Sequence, residues 1–130
     1  MVSAEFLNGL SGQILDAAIE VHRVLGGPGL LERIYEESLA QELDLRGLQV
    51  ERQVAVPVLY KGKKIKDPLL VDLLVAGEIV VEIKSVEKIN PSHSAQLLTY
   101  LRLSRKKLGL VINFGEKYVK NGFQRVVNGM

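Results

Sequence analysis

The sequence predicts a mixed α/β (α+β) fold, with one central mixed sheet flanked by helices. Three observations carry that expectation. Apolar residues recur at helical spacing in two early segments, at Leu10, Ile14, Ala17, Val21 and Leu25 and again at Leu31, Tyr35 and Leu39. Apolar β-type runs fill residues 49–60, 69–75 and 79–84. A further helix and a last apolar run, Leu108 to Phe114, follow them. The order is α-α-β-β-β-α-β, a meander followed by a helical crossover.

The first helix is expected over about 10–25, ended by Gly26-Gly27-Pro28-Gly29. The second runs over about 30–46, with Gly47 as its C-terminal cap. In 49–60, Val50, Val54, Val56, Val58 and Tyr60 share one parity, as in a strand, and Pro57 places that strand at an edge or a bulge. Lys61-Gly62-Lys63 is a turn. Two short strands, 69–75 and 79–84, meet at Ala76-Gly77-Glu78. Asn90 and Pro91 open a helix that reaches about residue 104. If the run 108–114 joins the sheet in parallel, its crossover is right-handed. The tail from Gly115 adds a short strand at Phe123–Val127.

One domain, residues 1–130, accommodates all of this, because a chain of this length can bury a substantial core. No apolar run is long enough to span a bilayer, so no membrane partner is expected. The N-terminus lacks the basic region of a signal peptide, which points to a cytoplasmic protein. With no Cys, disulfides, thiolate zinc sites and Cys nucleophiles are excluded. The net charge of +2 hides an asymmetry: residues 1–50 carry eight acids and three bases, residues 51–130 seven acids and fourteen bases. Lys61, Lys63, Lys64 and Lys66 form one basic cluster, and Arg102, Arg105, Lys106 and Lys107 another. Such clusters attract phosphate backbones, although a plain solvated surface has the same composition.

The chemistry concentrates in residues 72–84, where Asp72, Glu82 and Lys84 interrupt Val/Ile/Leu runs. Buried charges need a partner or a cation. Glu82 and Lys84 leave the same face of a strand. A three-residue loop at 76–78 pairs Val75 with Ile79 and puts Asp72 directly opposite Glu82; a two-residue loop would send the acids to opposite faces. Two facing carboxylates repel, and Mg²⁺ or Mn²⁺ removes that penalty. The backbone carbonyl of Ile83 is a candidate further ligand, and Lys84 is placed to orient a nucleophile or stabilise charge on a phosphate. The alternative is a surface Glu82–Lys84 ion pair with Asp72 as an edge gatekeeper.

On the second helix, Glu32 and Glu36 are i,i+4 neighbours, and Glu36 borders the apolar stripe, where it can reach the sheet edge. On the third helix, Gln96 and Tyr100 are likewise one turn apart. Gln can position a phosphate or a water and Tyr can contact backbone or stack on a base; a Tyr hydroxyl bonded to Gln is the structural alternative. His93 opens that helix and is a candidate phosphate contact. His22 is isolated. No nucleophilic triad, phosphate loop or zinc spacing occurs.

Taken together, these residues resemble the GxxExxY family, a branch of the PD-(D/E)xK nuclease superfamily. Gly29-Leu30-Leu31-Glu32-Arg33-Ile34-Tyr35 matches the name motif. Glu36, Asp72, Glu82-Ile83-Lys84, Gln96 to Tyr100 and Ile112-Asn113-Phe114 resemble the rest of the signature, over about residues 10–127. The resemblance implies a restriction-endonuclease-like αβββαβ core with an extra N-terminal helix and a Mg²⁺-dependent phosphodiesterase site. By analogy with RecB-like and Cas4-like nucleases, Asp72 and Glu82 would bind metal and Lys84 would assist the attacking water. Glu36 would complete the metal site, Gln96 and Tyr100 would position the scissile phosphate, and Glu32, Tyr35 and His93 would support it. Leu70 departs from the Arg expected two residues before the Asp.

The function expected from these features is a metal-dependent nuclease acting on DNA. The alternatives are a nucleic-acid-binding module within a larger complex, and a homo-oligomeric interaction protein whose acids serve packing.

Overall fold

A computed structural model describes residues 2–130. Helix α1 spans Ala4–Leu25. It starts nearly two turns before the expected residue 10, because Ser3 acts as an N-cap, its hydroxyl accepting from the Phe6 amide at 3.0 Å. Leu7 then extends the buried stripe of Leu10, Ile14, Ala17, Ala18 and Val21 by one step. Gly26, at φ 88°, ends the helix. Helix α2 covers Glu32–Leu45, and Gly47 follows its last turn in the left-handed region at φ 82°.

The strands are β1 (Val50–Val56), β2 (Leu59–Tyr60), β3 (Lys63–Lys64), β4 (Leu69–Val75), β5 (Ile79–Lys84), β6 (Leu108–Asn113) and β7 (Phe123–Val127). Helix α3, Pro91–Ser104, lies between β5 and β6. A short 3-10 turn, Val119–Gly122, precedes β7. Strands β1-β4-β5-β6-β7 form one sheet in that order; β5 and β6 are parallel and the other neighbours antiparallel. This is the mixed, helix-flanked sheet that the pattern predicts.

The single strand expected over 49–60 is instead two pieces. Pro57 has no N–H to continue the ladder, so β1 stops at Val56. Leu59–Tyr60 leaves the main sheet and pairs only with Lys63–Lys64. Nor does the shared parity of the Val residues put them on one side. Val50 packs with the α1/α2 layer, whereas Val54 and Val56 pack with the α3 layer. The change falls at Gln53, which holds a left-handed φ of 51° and interrupts the pairing with β4.

Two apolar layers sandwich the sheet. Leu73, Val75, Ile79, Val81, Ile83, Leu110 and Ile112 face α1 and α2. Val80 and Val111 face Leu97, Tyr100 and Leu101 of α3. Strand β6 lies between β5 and β7 and every residue in it is buried, which explains its unbroken apolar run.

Asn113, at its end, is completely buried. Its side chain accepts from the Val86 and Gly115 amides, each at 3.0 Å, and donates to the Val86 carbonyl at 2.9 Å. That clamp fixes the chain just after β5. Asn113→Ala strands three part-buried backbone groups and is expected to destabilise the fold by about 2–4 kcal/mol, measured by urea denaturation.

Candidate active site

The hairpin that joins β4 to β5 has a three-residue loop, Ala76-Gly77-Glu78. Val75 pairs with Ile79, Leu74 with Val80 and Leu73 with Val81. The same register brings Asp72 opposite Glu82, as the odd loop length demands. Ala76 (φ 53°) and Gly77 (φ 66°) both take left-handed conformations, and the Glu78 amide closes the turn onto the Val75 carbonyl at 3.0 Å.

Backbone pairing between the strands ends at Leu73 and Val81, and side chains take over. The Asp72 carboxylate accepts from the Ile83 amide at 2.8 Å, and the Asp72 amide donates to Glu82 Oε1 at 3.4 Å. Two acids therefore meet in the interior of a sheet. Glu82 is 9% exposed. Burial, and then the charge of Asp72, push its carboxyl up to about 8 from an ordinary 4.5, while Lys84 opposes the shift. Lys84 is half-buried and forms no ion pair among the described residues. Tyr100 comes from α3, only 7% exposed. Burial and then Glu82 and Asp72 raise its phenol, which places Tyr100 in the field of the two acids. Gln96, one turn earlier on α3, faces solvent.

Glu36 is buried on α2 and reaches this hairpin through intermediaries. Arg52 donates to Glu36 Oε2 at 3.1 and 3.2 Å. The side-chain Nε2 of Gln53 donates to Glu36 Oε1 at 2.8 Å and to Asp72 Oδ1 at 3.3 Å. Among the described residues, no three acidic or His side chains gather closely enough to hold a metal ion. The acids are instead a facing pair, with a third joined to it by an amide. A hard, all-oxygen pair whose buried member is costly to ionise suits a divalent cation.

The supporting residues divide. Glu32 accepts from the Ser85 amide at 3.3 Å, and the Ser85 hydroxyl donates to the Leu30 carbonyl at 2.7 Å. Tyr35 lies one layer back from the acids: it is fully buried, stacks on Phe114 at 4.6 Å and donates to the Gly27 carbonyl at 2.7 Å. It also accepts from the Leu30 amide at 3.2 Å. Its work is to hold the glycine-rich loop, in which Gly29 sits at φ 117°. That loop in turn grips the residue after Lys84. His93 uses Nδ1 to accept from the Asn90 amide in a capping box. His22 bonds the Phe114 carbonyl at 3.2 Å.

The two basic clusters lie at opposite ends of the sheet. Strand β4 runs antiparallel to β5, so the Lys61–Lys66 segment leaves the sheet at the Lys84 end. Leu108 pairs with Ile79, so Arg102, Arg105 and Lys106, just before β6, lie at the other end, beside the Gly77 turn.

Sequence reasoning missed Arg52, Gln53, Ser85 and Asn113. None of them carried a local signal: the Val residues on either side of Gln53 share one parity, and a Gln has no preference for left-handed backbone. Gln53→Gly relieves a strained backbone worth about 1 kcal/mol while removing the bridging amide. Unfolding curves are expected to show Gln53→Gly within about 1 kcal/mol of wild type and Gln53→Ala lower, because Ala keeps the strain and loses the bonds.

No helix among the described residues is long and apolar enough to cross a membrane. A family model described as the PD-(D/E)XK nuclease superfamily matches residues 8–126. Comparison with curated proteins and with solved structures gives no match.

Proposed function

Because the chain belongs to the PD-(D/E)XK nuclease superfamily, we propose that it is a metal-dependent nuclease that hydrolyses phosphodiester bonds of DNA. The observation that carries this reading is the facing pair Asp72 and Glu82, with Lys84 leaving the same face of β5 as Glu82. Superfamily members act on nucleic acid and generally use divalent metal ions. The GxxExxY pattern at Gly29, Glu32 and Tyr35 supports the narrower assignment to that branch.

Asp72, Glu82 and the Ile83 carbonyl would hold Mg²⁺ or Mn²⁺, with Glu36 as an outer partner through Gln53. The bound ion would supply positive charge to the phosphodiester and favour ionisation of the attacking water. Lys84 orients that water and balances the negative charge that grows on the phosphoryl oxygens. Water oxygen bonds to phosphorus, the bond from phosphorus to the leaving oxygen breaks, and the leaving oxygen is protonated. Tyr100 and Gln96, one helical turn apart, position the phosphate. Glu32 and the Tyr35-held loop fix Ser85 and thereby the end of β5.

Incubation with single-stranded and duplex DNA, with Mg²⁺, with Mn²⁺ and with EDTA, tests the reading. Cleavage that requires the ion supports it. Salt-sensitive binding without turnover replaces it with a binding module.

A further inference from the structure

The segment between β1 and β4 is a small arm. Pro57 and Pro68 flank it, and both lack the N–H that would extend the main ladder. Between them, β2 and β3 pair through only two residue pairs, with Lys61 (φ 48°) and Gly62 (φ 81°) forming the tip. The Ile65 amide bonds the Val58 carbonyl at 2.8 Å. Among the described residues, the apolar side chains of the ribbon are left largely uncovered. Leu59 is 61% exposed, Tyr60 64% and Ile65 45%. A two-stranded ribbon of this size has no core of its own to justify apolar residues.

Its charge is one-sided. Lys61, Lys63, Lys64 and Lys66 form no ion pair among the described residues, and Asp67 is the only acid in the segment. The Lys61 ammonium lies 5.5 Å from the centre of the Tyr60 ring, over its face. The arm also has a fixed relation to the acid pair. Its root, Leu69, is three residues from Asp72 along β4, about 10 Å at strand rise. Leu70, between the root of the arm and Asp72, is 52% exposed, so an apolar step lies between arm and acids.

Resting on the nuclease reading, we propose that this arm is a binding site for a single-stranded stretch of the nucleic acid. Tyr60 stacks on a base and Lys61, Lys63 and Lys64 contact the flanking phosphates. Cations alone would suit any phosphate backbone. The exposed aromatic ring beside them favours unpaired bases, whose faces are available for stacking. Paired bases offer only their edges and backbone. Arg102 and Lys106, at the far end of the sheet, lie outside this path.

The test is fluorescence anisotropy in EDTA, with the full chain and a short labelled oligonucleotide, single-stranded or annealed to its complement. Wild type is expected to prefer the single strand. Tyr60→Ala is expected to weaken single-strand binding about tenfold and leave duplex binding unchanged. The double variant Lys63→Gln/Lys64→Gln is expected to weaken both and to reduce the salt slope for single strands by about 1.4. Arg102→Gln/Lys106→Gln is expected to keep the wild-type preference for the single strand, any loss falling equally on both substrates.

Equal affinity for both substrates, or a Tyr60→Ala variant that binds like wild type, overturns the proposal. So does a dimer that dissociates on Tyr60→Ala while DNA affinity is unchanged, since the occupant is then a second copy. The two readings separate cleanly. A wild type that binds through the arm but never cleaves retains the arm and removes the nuclease. One that cleaves with arm variants unaffected does the reverse.

Discussion

Lys84→Ala is expected to reduce metal-dependent DNA cleavage by about 10²–10³-fold, the usual loss when one aimed charge is removed from a transition state. The fold should tolerate the change. Lys84 is half-buried and has no ion-pair partner among the described residues, so truncation leaves no orphaned acid in a salt bridge. Its backbone carbonyl, which accepts from the Phe114 amide at 2.8 Å, is untouched. The measurement is single-turnover cleavage beside a thermal melt. Loss of rate with an unchanged melt assigns Lys84 to the chemistry, and a rate equal to wild type removes it from the site. Asp72→Asn is the companion variant. It keeps the shape and the bond from the Ile83 amide but loses the charge, and its cleavage should fall at least as far. A partial rescue by Lys84→Arg would mean that charge, rather than the shape of the ammonium, is what the reaction uses.

The second large effect concerns stability. Glu82 titrates at about 8 in the folded chain and at 4.5 as its ordinary value. The folded state therefore holds a proton that the unfolded state has released between those values. A raised folded pKa contributes stability that is fully present below 4.5 and is lost as pH rises through about 8. Without a divalent cation, the unfolding free energy should fall across that window by on the order of a few kcal/mol, and the melting temperature with it. Glu82→Gln removes the titration and should flatten the profile, leaving the variant more stable than wild type at the alkaline end. Mn²⁺ or Mg²⁺ should restore wild-type stability there and have little effect on Glu82→Gln, because a ligand that binds only the folded state stabilises it. A wild-type profile that stays flat without metal contradicts the burial argument. The gain in stability with loss of activity in Glu82→Gln is what a site that holds strained charge should show.

Much of this was readable from residues alone, for a specific reason. Hairpin parity is a discrete constraint, so the sequence reduced the site to two cases, and the three-residue loop that pairs Val75 with Ile79 selects the one with the acids face to face. The fully buried β6 announced itself through an unbroken apolar run, and Asn90-Pro91 marked the start of α3. Three features were hidden. The left-handed backbone at Gln53 turns Val54 and Val56 toward the α3 layer, and a Gln carries no preference for that conformation. The Asn113 clamp needs the loop after β5 to return over β6, which no local pattern specifies. The Tyr35 hydroxyl bonds the Gly27 and Leu30 backbone, a contact that the motif carrying Tyr35 does not specify.

The hydrogen bond from the Ile83 amide to the Asp72 carboxylate gives the site a spectroscopic handle. At 2.8 Å and with a charged acceptor, this bond belongs to the strong class. Its proton should resonate downfield of the other β5 amides. The peptide plane that carries it lies between Glu82 and Ile83, so any ligand that draws on Asp72 changes the shielding of this one nucleus. In a ¹⁵N-labelled sample, a single cross-peak can then follow cation titration, pH and substrate mimics independently of turnover. Its exchange with deuterated solvent would time how often the two strands separate at the point where their backbone ladder stops.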